Sequence, residues 1–394
     1  MFKDRAIVLL AIGQTLAWAG LYYVFPALLL RWEQDLGWTK IDIAAAITLA
    51  VLISAMSSPF TGRIIDAGRG PLLMSASSVL GGIGMLMLSQ VSMLWQFYGI
   101  WAVIGLAMSG CLYESCFALV TRTRGKRAKQ GIIFITLAAG FASTISFPAL
   151  HSLSEAMGWR VAVGLSGLMV ILVVAPLLWF GASGLERSHK RVKPTEQILQ
   201  TRSDFLKRPA FIFLALGFGL IALVHGAILQ HLLPILNEYG LSSEMAVLAA
   251  SFIGPMQVAG RLAMMASEKY TSHFGVAVAA FLTLGSAVVF LMASSLSPVF
   301  LSGFVILFGG AFGTVSILRP LIAREVLGAL NFGAKSGALA LPYLAGGAFA
   351  PYLGALIWGS AGYTVMLTIL VVLTLVACVM LVTAHRVSDV GGQD

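Results

Sequence analysis

Long apolar segments alternate with short polar ones along nearly the whole chain. Windows of about 20 apolar residues are long enough to cross a bilayer as a helix. They predict twelve helices, near residues 6–30, 41–61, 72–90, 94–120, 130–152, 159–181, 210–236, 245–266, 274–293, 298–322, 336–357 and 363–384. The runs are continuous and do not alternate at every second residue, so membrane β-strands are not predicted. The pattern predicts an all-α membrane protein.

One long polar segment divides the predicted helices into two sets of six. Residues 182–208 include seven lysine and arginine residues and lack a long apolar run. We therefore predict an N-terminal six-helix bundle over 1–181, a basic cytoplasmic linker over 182–208 and a C-terminal six-helix bundle over 209–394. Attraction of the linker to anionic lipid headgroups is a second interpretation of its charge.

Composition excludes a soluble protein. The chain is 59% apolar and 10% charged, with a mean hydropathy of +0.93, whereas soluble domains carry about 25% charged residues. With a cytoplasmic amino terminus, only Arg31, Lys40 and Arg160 among 25 basic residues face outward. The positive-inside rule then predicts two cytoplasmic termini and accounts for the net charge of +9 without nucleic acid. We expect a monomeric, multi-pass protein of a bacterial inner membrane.

The two predicted bundles resemble each other in sequence at an offset near 203 residues. The matches at this offset include Gly110 with Gly313 and Arg122 with Arg324. Two parallel six-helix repeats are typical of alternating-access transporters, whose substrate site lies near the middle of the membrane. The repeat therefore predicts two pseudo-symmetric bundles.

A short turn after the second predicted helix carries a motif. Residues 62–70 read Gly-Arg-Ile-Ile-Asp-Ala-Gly-Arg-Gly, which resembles the G-x-L-x-D-R-x-G-R signature of the major facilitator superfamily, with Ala67 in place of an arginine. The resemblance implies that Asp66 latches an inner gate through a basic residue at the inner end of the fourth helix. The implied gating residues are Gly62, Asp66, Arg69, Arg122 and Arg124. The alternative is an ordinary solvated turn in which Gly bends the chain.

Two further segments resemble monocarboxylate transporters and their bacterial relatives. Residues 20–26 read Gly-Leu-Tyr-Tyr-Val-Phe-Pro, and residues 257–261 read Gln-Val-Ala-Gly-Arg. This resemblance implies that Arg261 binds a substrate carboxylate. Gln257 stands where that group has an aspartate, and Ala27 stands where it has a lysine, so any proton coupling has to use other residues.

Polar and charged side chains inside the predicted helices are candidate site residues, because a charge in the bilayer is costly. Glu114 is the most deeply placed carboxylate, and we predict that it couples protons. The predicted substrate-binding residues are Arg261, Gln257, Gln14, Trp18, Tyr22, Tyr113, Thr144 and Arg319. Packing between helices is the alternative for the uncharged members of this set, and snorkelling to the headgroups is the alternative for both arginines.

Two histidines in the seventh predicted helix are further proton-coupling candidates. His225 and His231 are six residues apart, so their rings point about 120° apart and cannot both face a cavity squarely. A neutral imidazole titrates near physiological pH, and a structural hydrogen-bonded histidine is the alternative. Their spacing does not predict a metal site.

Together these features predict a secondary transporter that moves a small organic anion, a monocarboxylate by resemblance, by alternating access and by proton symport. The second candidate is an exporter of amphipathic compounds or drugs by proton antiport. The sequence contains neither a G-x-x-x-x-G-K-[ST] phosphate loop nor the motifs of a membrane-embedded hydrolase, so an ATP-driven pump and an enzyme are not predicted. We predict no cofactor and no metal, and we expect a small organic anion, protons and lipid as partners.

Overall fold

A computed structural model of the chain describes residues 4–125, 128–188, 203–267, 270–328 and 332–390. The chain divides into two compact units, Met1–Pro194 and Thr195–Asp394. Much of the predicted linker, residues 189–202, lies outside the described residues, so the predicted bounds 181/182 and 208/209 stay predictions. Every regular element within the described ranges is helical.

The described residues of the first unit form ten α-helices, several of which are halves of one membrane span. They are α1 Arg5–Ala17, α2 Val24–Leu36, α3 Lys40–Asp66, α4 Gly70–Leu88, α5 Leu94–Cys111, α6 Tyr113–Arg124, α7 Ala128–Ala139, α8 Ala142–Met157, α9 Trp159–Met169 and α10 Ala175–Ser188. A π-helical turn, Trp18–Tyr22, connects α1 to α2, and a second, Val170–Val174, connects α9 to α10. Four spans of this unit are therefore irregular along their length.

The described helices of the second unit are longer and more regular. After a short 3₁₀ turn at Ser203–Lys207 they are α11 Pro209–Glu238, α12 Ser243–Ser267, α13 His273–Met292, α14 Pro298–Leu327 and α15 Phe332–Val390. Gly362 interrupts α15 with φ 79° and ψ 173°. A bilayer is crossed by about 20 helical residues, so α15 provides two spans joined at Gly362.

The described residues include eleven helices that are long and apolar enough to cross a membrane, and the last of these is the double span Gly337–Ser388. With the break at Gly362, this agrees with the twelve predicted spans and confirms the all-α membrane fold. Large apolar side chains such as Leu172 and Val299 are about 70% exposed on the helix surfaces (68% and 72%). Lipid tails cover such side chains at no hydrophobic cost.

The predicted turn at residues 62–70 ends α3 with a Schellman motif. Gly68 has φ 79°, its N–H donates to Ile65 O at 2.9 Å, and the N–H of Arg69 donates to Ile64 O at 3.1 Å. A left-handed residue is needed at this position, and glycine adopts that conformation without a Cβ penalty. The glycine of the motif therefore fixes where the helix stops and α4 begins.

Candidate functional site

The fourth span is broken in its middle. α5 ends at Cys111, Leu112 is extended with φ −87° and ψ −161°, and α6 restarts at Tyr113. The break follows the pair Ser109-Gly110, and Gly/Ser pairs are a recurrent cause of sharp kinks. The sequence pattern predicted a membrane-spanning helix over 94–120, and the span is present as Leu94–Arg124. Its interruption at Leu112 was not predicted, because the residues at the break are apolar and carry no proline.

Gln14 of α1 compensates for the break. Its side chain is fully buried, and Nε2 donates to Cys111 O at 2.6 Å. In an unbroken helix that carbonyl would accept from the N–H four residues further on. Gln14 Oε1 has no hydrogen-bond partner within the described ranges. The Gln14 nitrogen therefore bonds the backbone at the break, whereas its oxygen is a buried acceptor without a donor among the described residues.

Four aromatic side chains cluster beside this break. The ring of Trp18 lies 5.1 Å from that of Tyr22 and 4.8 Å from that of Tyr113, and Tyr113 stacks on Phe117 at 4.7 Å. The indole Nε1 of Trp18 is buried without a hydrogen-bond partner among the described residues. We call these four residues the aromatic cluster. It brings together three predicted substrate residues of the first unit.

Glu114 lies in the first turn of α6, directly after the break, and its side chain is exposed. A carboxylate is favoured at a helix N-terminus by the backbone dipoles. Thr144 is half-buried in the first turn of α8, where the fifth span restarts after Gly140 and Phe141. The nearby Ser146 Oγ donates to Ala19 O at 2.8 Å and ties α8 to the π-helical turn.

The predicted carboxylate-binding pair of the second unit lies in a tight seam between α12 and α14. Arg261 is 5% exposed, and its Nε donates to Gly313 O at 3.0 Å. Gln257 is 6% exposed, and a Cβ at Gly313 would overlap the Gln257 backbone. Arg261 is thus turned into the unit, about 9 Å before the C-terminal end of α12.

Arg319 is also held inside the second unit. Its guanidinium carbon lies 4.3 Å from the ring centroid of Tyr343, which is on α15. Such a cation–π contact stabilises a guanidinium away from water. Arg319 is half-buried and lies about 12 Å before the C-terminal end of α14. Both arginines predicted for the substrate site therefore have a defined position within one unit.

The two histidines of α11 differ in their surroundings. His225 is 7% exposed and lies flat against Phe312, with Phe308 5.0 Å away on centroid distance. His231 is fully buried, with Nε2 2.8 Å from Pro351 O and Nδ1 3.2 Å from the hydroxyl of Tyr363. A carbonyl can only accept, so Nε2 carries the proton and Nδ1 accepts from the tyrosine. His231 thus has both ring nitrogens bonded, whereas Nδ1 of His225 is buried without a hydrogen-bond partner among the described residues.

The gating candidates make a different set of ion pairs from the expected one. Arg122 pairs with Glu186 of α10, and Arg124 donates to Asp4 Oδ2 at 2.8 Å. Asp66 and Arg69 are exposed, and neither forms an ion pair with another described residue. The expected pairing of Asp66 with Arg122 or Arg124 is therefore not the one formed, because both arginines have nearer carboxylates within the first unit. Gly62 is half-buried at the last turns of α3.

A lysine near the start of α15 contacts the C-terminal end of α14 in the second unit. Lys335 Nζ donates to Leu327 O at the end of α14. Partial burial, with a smaller contribution from the positive charge of Arg208, lowers the pKa of Lys335 below its ordinary value. Cations are favoured at helix C-termini, so this lysine caps α14.

An apolar groove of about 390 Å³ lies between the N-terminal halves of α12 and α14. Its lining includes Met245, Phe252, Met256, Leu301 and Ile306. None of the predicted site residues lines it. The sequence pattern did not indicate this groove, since its side chains look like ordinary membrane-facing residues.

The helices and the polar groups inside their spans define a polytopic membrane transporter. The family model of the Major Facilitator Superfamily matches residues 10–334, and the chain belongs to this superfamily. It is therefore a multi-pass membrane protein that transports a small molecule, in contact with lipid, and it is not an enzyme.

Solved structures of the same fold are similar over the whole chain. One is a bacterial homologue of the human lysosomal transporter Spinster in an inward-facing and unoccupied conformation, with 15% identity, a TM-score of 0.71 and coverage of 100% of this chain and 98% of that one. A second is such a homologue in an inward-facing and occupied conformation, with 15% identity, a TM-score of 0.63 and coverage of 98% and 96%. At this identity the likeness establishes the fold alone. No curated protein sequence matches the chain.

Proposed function

We propose that this transporter moves a small organic anion, a monocarboxylate, by alternating access. The observation that carries the proposal is Arg261, which is buried and oriented by its Nε bond to Gly313 O. The Nε bond fixes the plane of the guanidinium. Its two terminal nitrogens can then donate in parallel to the two oxygens of a carboxylate. The resemblance of residues 20–26 and 257–261 to monocarboxylate transporters supports the same substrate class.

The distribution of charge along the chain also supports an anion. Between Glu244 and Glu325 the sequence has Arg261 and Arg319 in its apolar spans, and its one acid there is Glu268 in the connection between spans. The membrane spans of the second unit are thus basic. A basic, water-poor surface favours binding of an anion over binding of a cation.

Glu114 is our proposed proton-coupling residue. It is the one carboxylate in the apolar part of the first six spans, and it lies at the break of the fourth span, where discontinuous helices form ion sites in other transporters. His225 and His231 remain reserve candidates, but the phenylalanine rings and the two hydrogen bonds described above suit structural roles. Coupling through Glu114 would make the transporter a proton symporter.

We also propose that Asp66 and Arg69 contribute to an inner gate, with Arg122 and Arg124 anchoring the helix ends of the first unit. The ion pairs of Arg122 with Glu186 and of Arg124 with Asp4 join the inner ends of α6, α10 and α1. The exposed Asp66 then has its carboxylate available to a partner that changes with the transport state. The basic connections between spans support cytoplasmic termini, and we propose a monomeric protein of a bacterial inner membrane.

Export of amphipathic compounds is a second candidate function. The aromatic cluster offers ring faces, and the groove between α12 and α14 offers methionine and phenylalanine side chains. Methionine is adaptable and common at surfaces that accept varied apolar ligands. An exporter of this kind would couple to protons by antiport.

Uptake into proteoliposomes tests the two candidates against each other. Labelled lactate, propanoate and acetate should accumulate when the lumen is made alkaline, and excess unlabelled carboxylate should compete. Arg261→Lys should lose this uptake, whereas Arg386→Lys, at an exposed position near the end of α15, should retain it. Transport of lipophilic dyes by the wild type without carboxylate uptake would reject the anion proposal in favour of the second candidate.

A further inference from the structure

The two units differ in charge at one equivalent position. Asp4 is the N-cap residue of α1, the first helix of the first unit, and Arg208 is the N-cap residue of α11, the first long helix of the second unit. The two positions are 204 residues apart, which agrees with the offset of the sequence repeat. Neither side chain caps its own helix. The second unit therefore has an arginine where the first unit has a carboxylate.

In the first unit this carboxylate neutralises a basic residue at the end of the fourth span. Asp4 Oδ2 accepts from Nη2 of Arg124 at 2.8 Å and from Nε of the same side chain at 3.1 Å. Arg124 is the last residue of α6. Opposite charges thus meet where the start of α1 and the end of α6 come together.

At the equivalent place in the second unit two positive charges lie close together. The residue 203 positions after Arg124 is Leu327, the last residue of α14, and its carbonyl oxygen accepts from the ammonium of Lys335. Partial burial, and then the nearby positive charge of Arg208, lower the pKa of Lys335 below its ordinary value. Neither cation forms an ion pair with another described residue, and neither does Glu325, which is exposed in the last turn of α14. The repulsion between Arg208 and Lys335 is therefore not offset by a carboxylate of the described chain.

Both cations lie at the ends of membrane spans, at the level of the lipid headgroups. Arg208 directly precedes the span Pro209–Glu238, and Lys335 lies two residues before the span Gly337–Ser388. Arg208 is exposed and Lys335 is half-buried, so an anion outside the protein can reach both charges. Guanidinium and ammonium groups are the side chains that bind phosphate oxygens. The backbone dipoles at the start of α11 also favour an anion there.

We propose that Arg208 and Lys335 form a binding site for the phosphate of an anionic phospholipid. The phosphodiester lies between the two cations and takes the place of the carboxylate that Asp4 supplies in the first unit. It connects the start of α11 to the end of α14 and the start of α15, and it offsets the repulsion between the two side chains. Basic pockets between helix ends bind such headgroups in other membrane proteins. The site does not include Arg261 and does not depend on the proposed anion transport.

Lipid titration into the purified full-length protein in a neutral detergent tests the site. Phosphatidylglycerol should bind more tightly than phosphatidylcholine, as measured by native mass spectrometry, and should raise the Tm. Arg208→Gln should lower the affinity for phosphatidylglycerol about fivefold, as expected for the loss of one basic contact, and should lose most of the rise in Tm. Arg386→Gln removes an exposed charge near the end of α15 in the same unit, and it should keep both effects.

A second variant supplies the carboxylate of the first unit. Arg208→Asp places an acid near Lys335, so without lipid it should unfold at a higher Tm than Arg208→Gln, and it should not respond to phosphatidylglycerol. A wild-type response to this lipid in Arg208→Asp would overturn the proposal. Equal responses of the wild type, Arg208→Gln and Arg386→Gln would also overturn it, because the lipid would then act through the overall positive charge. If inorganic phosphate raised the Tm as much as phosphatidylglycerol does, the assignment to a lipid would be wrong.

Discussion

The side-chain nitrogen of Gln14 lies 2.6 Å from the carbonyl oxygen of Cys111, 97 residues further along the chain. This bond connects the first span to the point where the fourth span is interrupted. The Cys111 carbonyl, which lies at the break, therefore accepts a hydrogen bond from a side chain. This bond reduces the cost of a helix break inside an apolar bundle. The Gln14 side-chain amide thus connects the first and fourth spans, which carry the aromatic cluster.

Gln14→Met should destabilise the protein by about 1 to 3 kcal/mol, because the buried Cys111 carbonyl would lose its donor. Thermal unfolding in detergent measures this change. Gln90→Met is the control, since Gln90 is exposed at the end of the third span, and we expect it to stay within about 0.5 kcal/mol of the wild type. Equal stabilities of the two variants would show that the Gln14 bond does not support the break.

Arg261→Lys should weaken carboxylate binding about tenfold or more while the protein remains folded. Lysine keeps the charge but has neither the Nε that bonds Gly313 O nor the forked pair of donors. Isothermal titration with propanoate measures the effect, and Arg386→Lys is the matched control. Unchanged propanoate affinity in Arg261→Lys would assign Arg261 to the packing of α12 on α14 alone.

Glu114→Gln should separate exchange from accumulation. Glutamine mimics the protonated side chain, so exchange of labelled for unlabelled substrate across the membrane should continue. Accumulation driven by a pH gradient should disappear, because the residue can no longer release a proton. His225→Gln and His231→Gln are compared in the same proteoliposome assay. Accumulation by Glu114→Gln at the wild-type level would exclude this carboxylate as the coupling group, and loss in a histidine variant alone would transfer the role.

Glu186→Gln should lower stability by about 1 kcal/mol, because Arg122 would lose its carboxylate partner in a half-buried position. The charge-swapped double variant, Arg122→Glu with Glu186→Arg, should recover much of the loss.

Asp66→Asn, at an exposed position, should leave thermal stability unchanged and increase labelling of inner-cavity cysteine probes. If Asp66→Asn changes stability as much as Glu186→Gln and does not alter probe labelling, the gate assignment of Asp66 is wrong.

The spans could be predicted from the sequence because crossing a bilayer requires about 20 apolar residues, whichever neighbours they have. The break at Leu112 could not, because Cys111, Leu112 and Tyr113 are compatible with a continuous helix and the compensating donor, Gln14, is distant in sequence. The stop of α3 at Gly68 could be anticipated, since a glycine at a helix end is a local signal.

The ion pairs between charged side chains were the feature of the structure that the sequence predicted least well. The motif resemblance favoured Asp66 as the partner of Arg122, yet Glu186 occupies that position. Which of several carboxylates reaches an arginine depends on the packing of α6 against α10, and spacing along the chain does not reveal it. The same limit applies to His231, whose two hydrogen bonds come from residues more than 100 positions away.

Gly313→Ala should disrupt the seam that positions Arg261. A Cβ at Gly313 would overlap the backbone of Gln257, which cannot move aside as a flexible side chain can. We expect a loss of more than about 2 kcal/mol of stability or a displaced α12, with weaker propanoate binding in either case, because steric overlap in a packed region is relieved by backbone shifts. Gly99→Ala is the control: it lies inside α5, a Cβ there meets nothing within 4 Å, and alanine is the better helix former by up to about 1 kcal/mol. Thermal unfolding and propanoate titration of both variants measure the difference. If Gly313→Ala were as stable as Gly99→Ala and bound propanoate as the wild type does, the close approach of α12 and α14 would not be what orients Arg261.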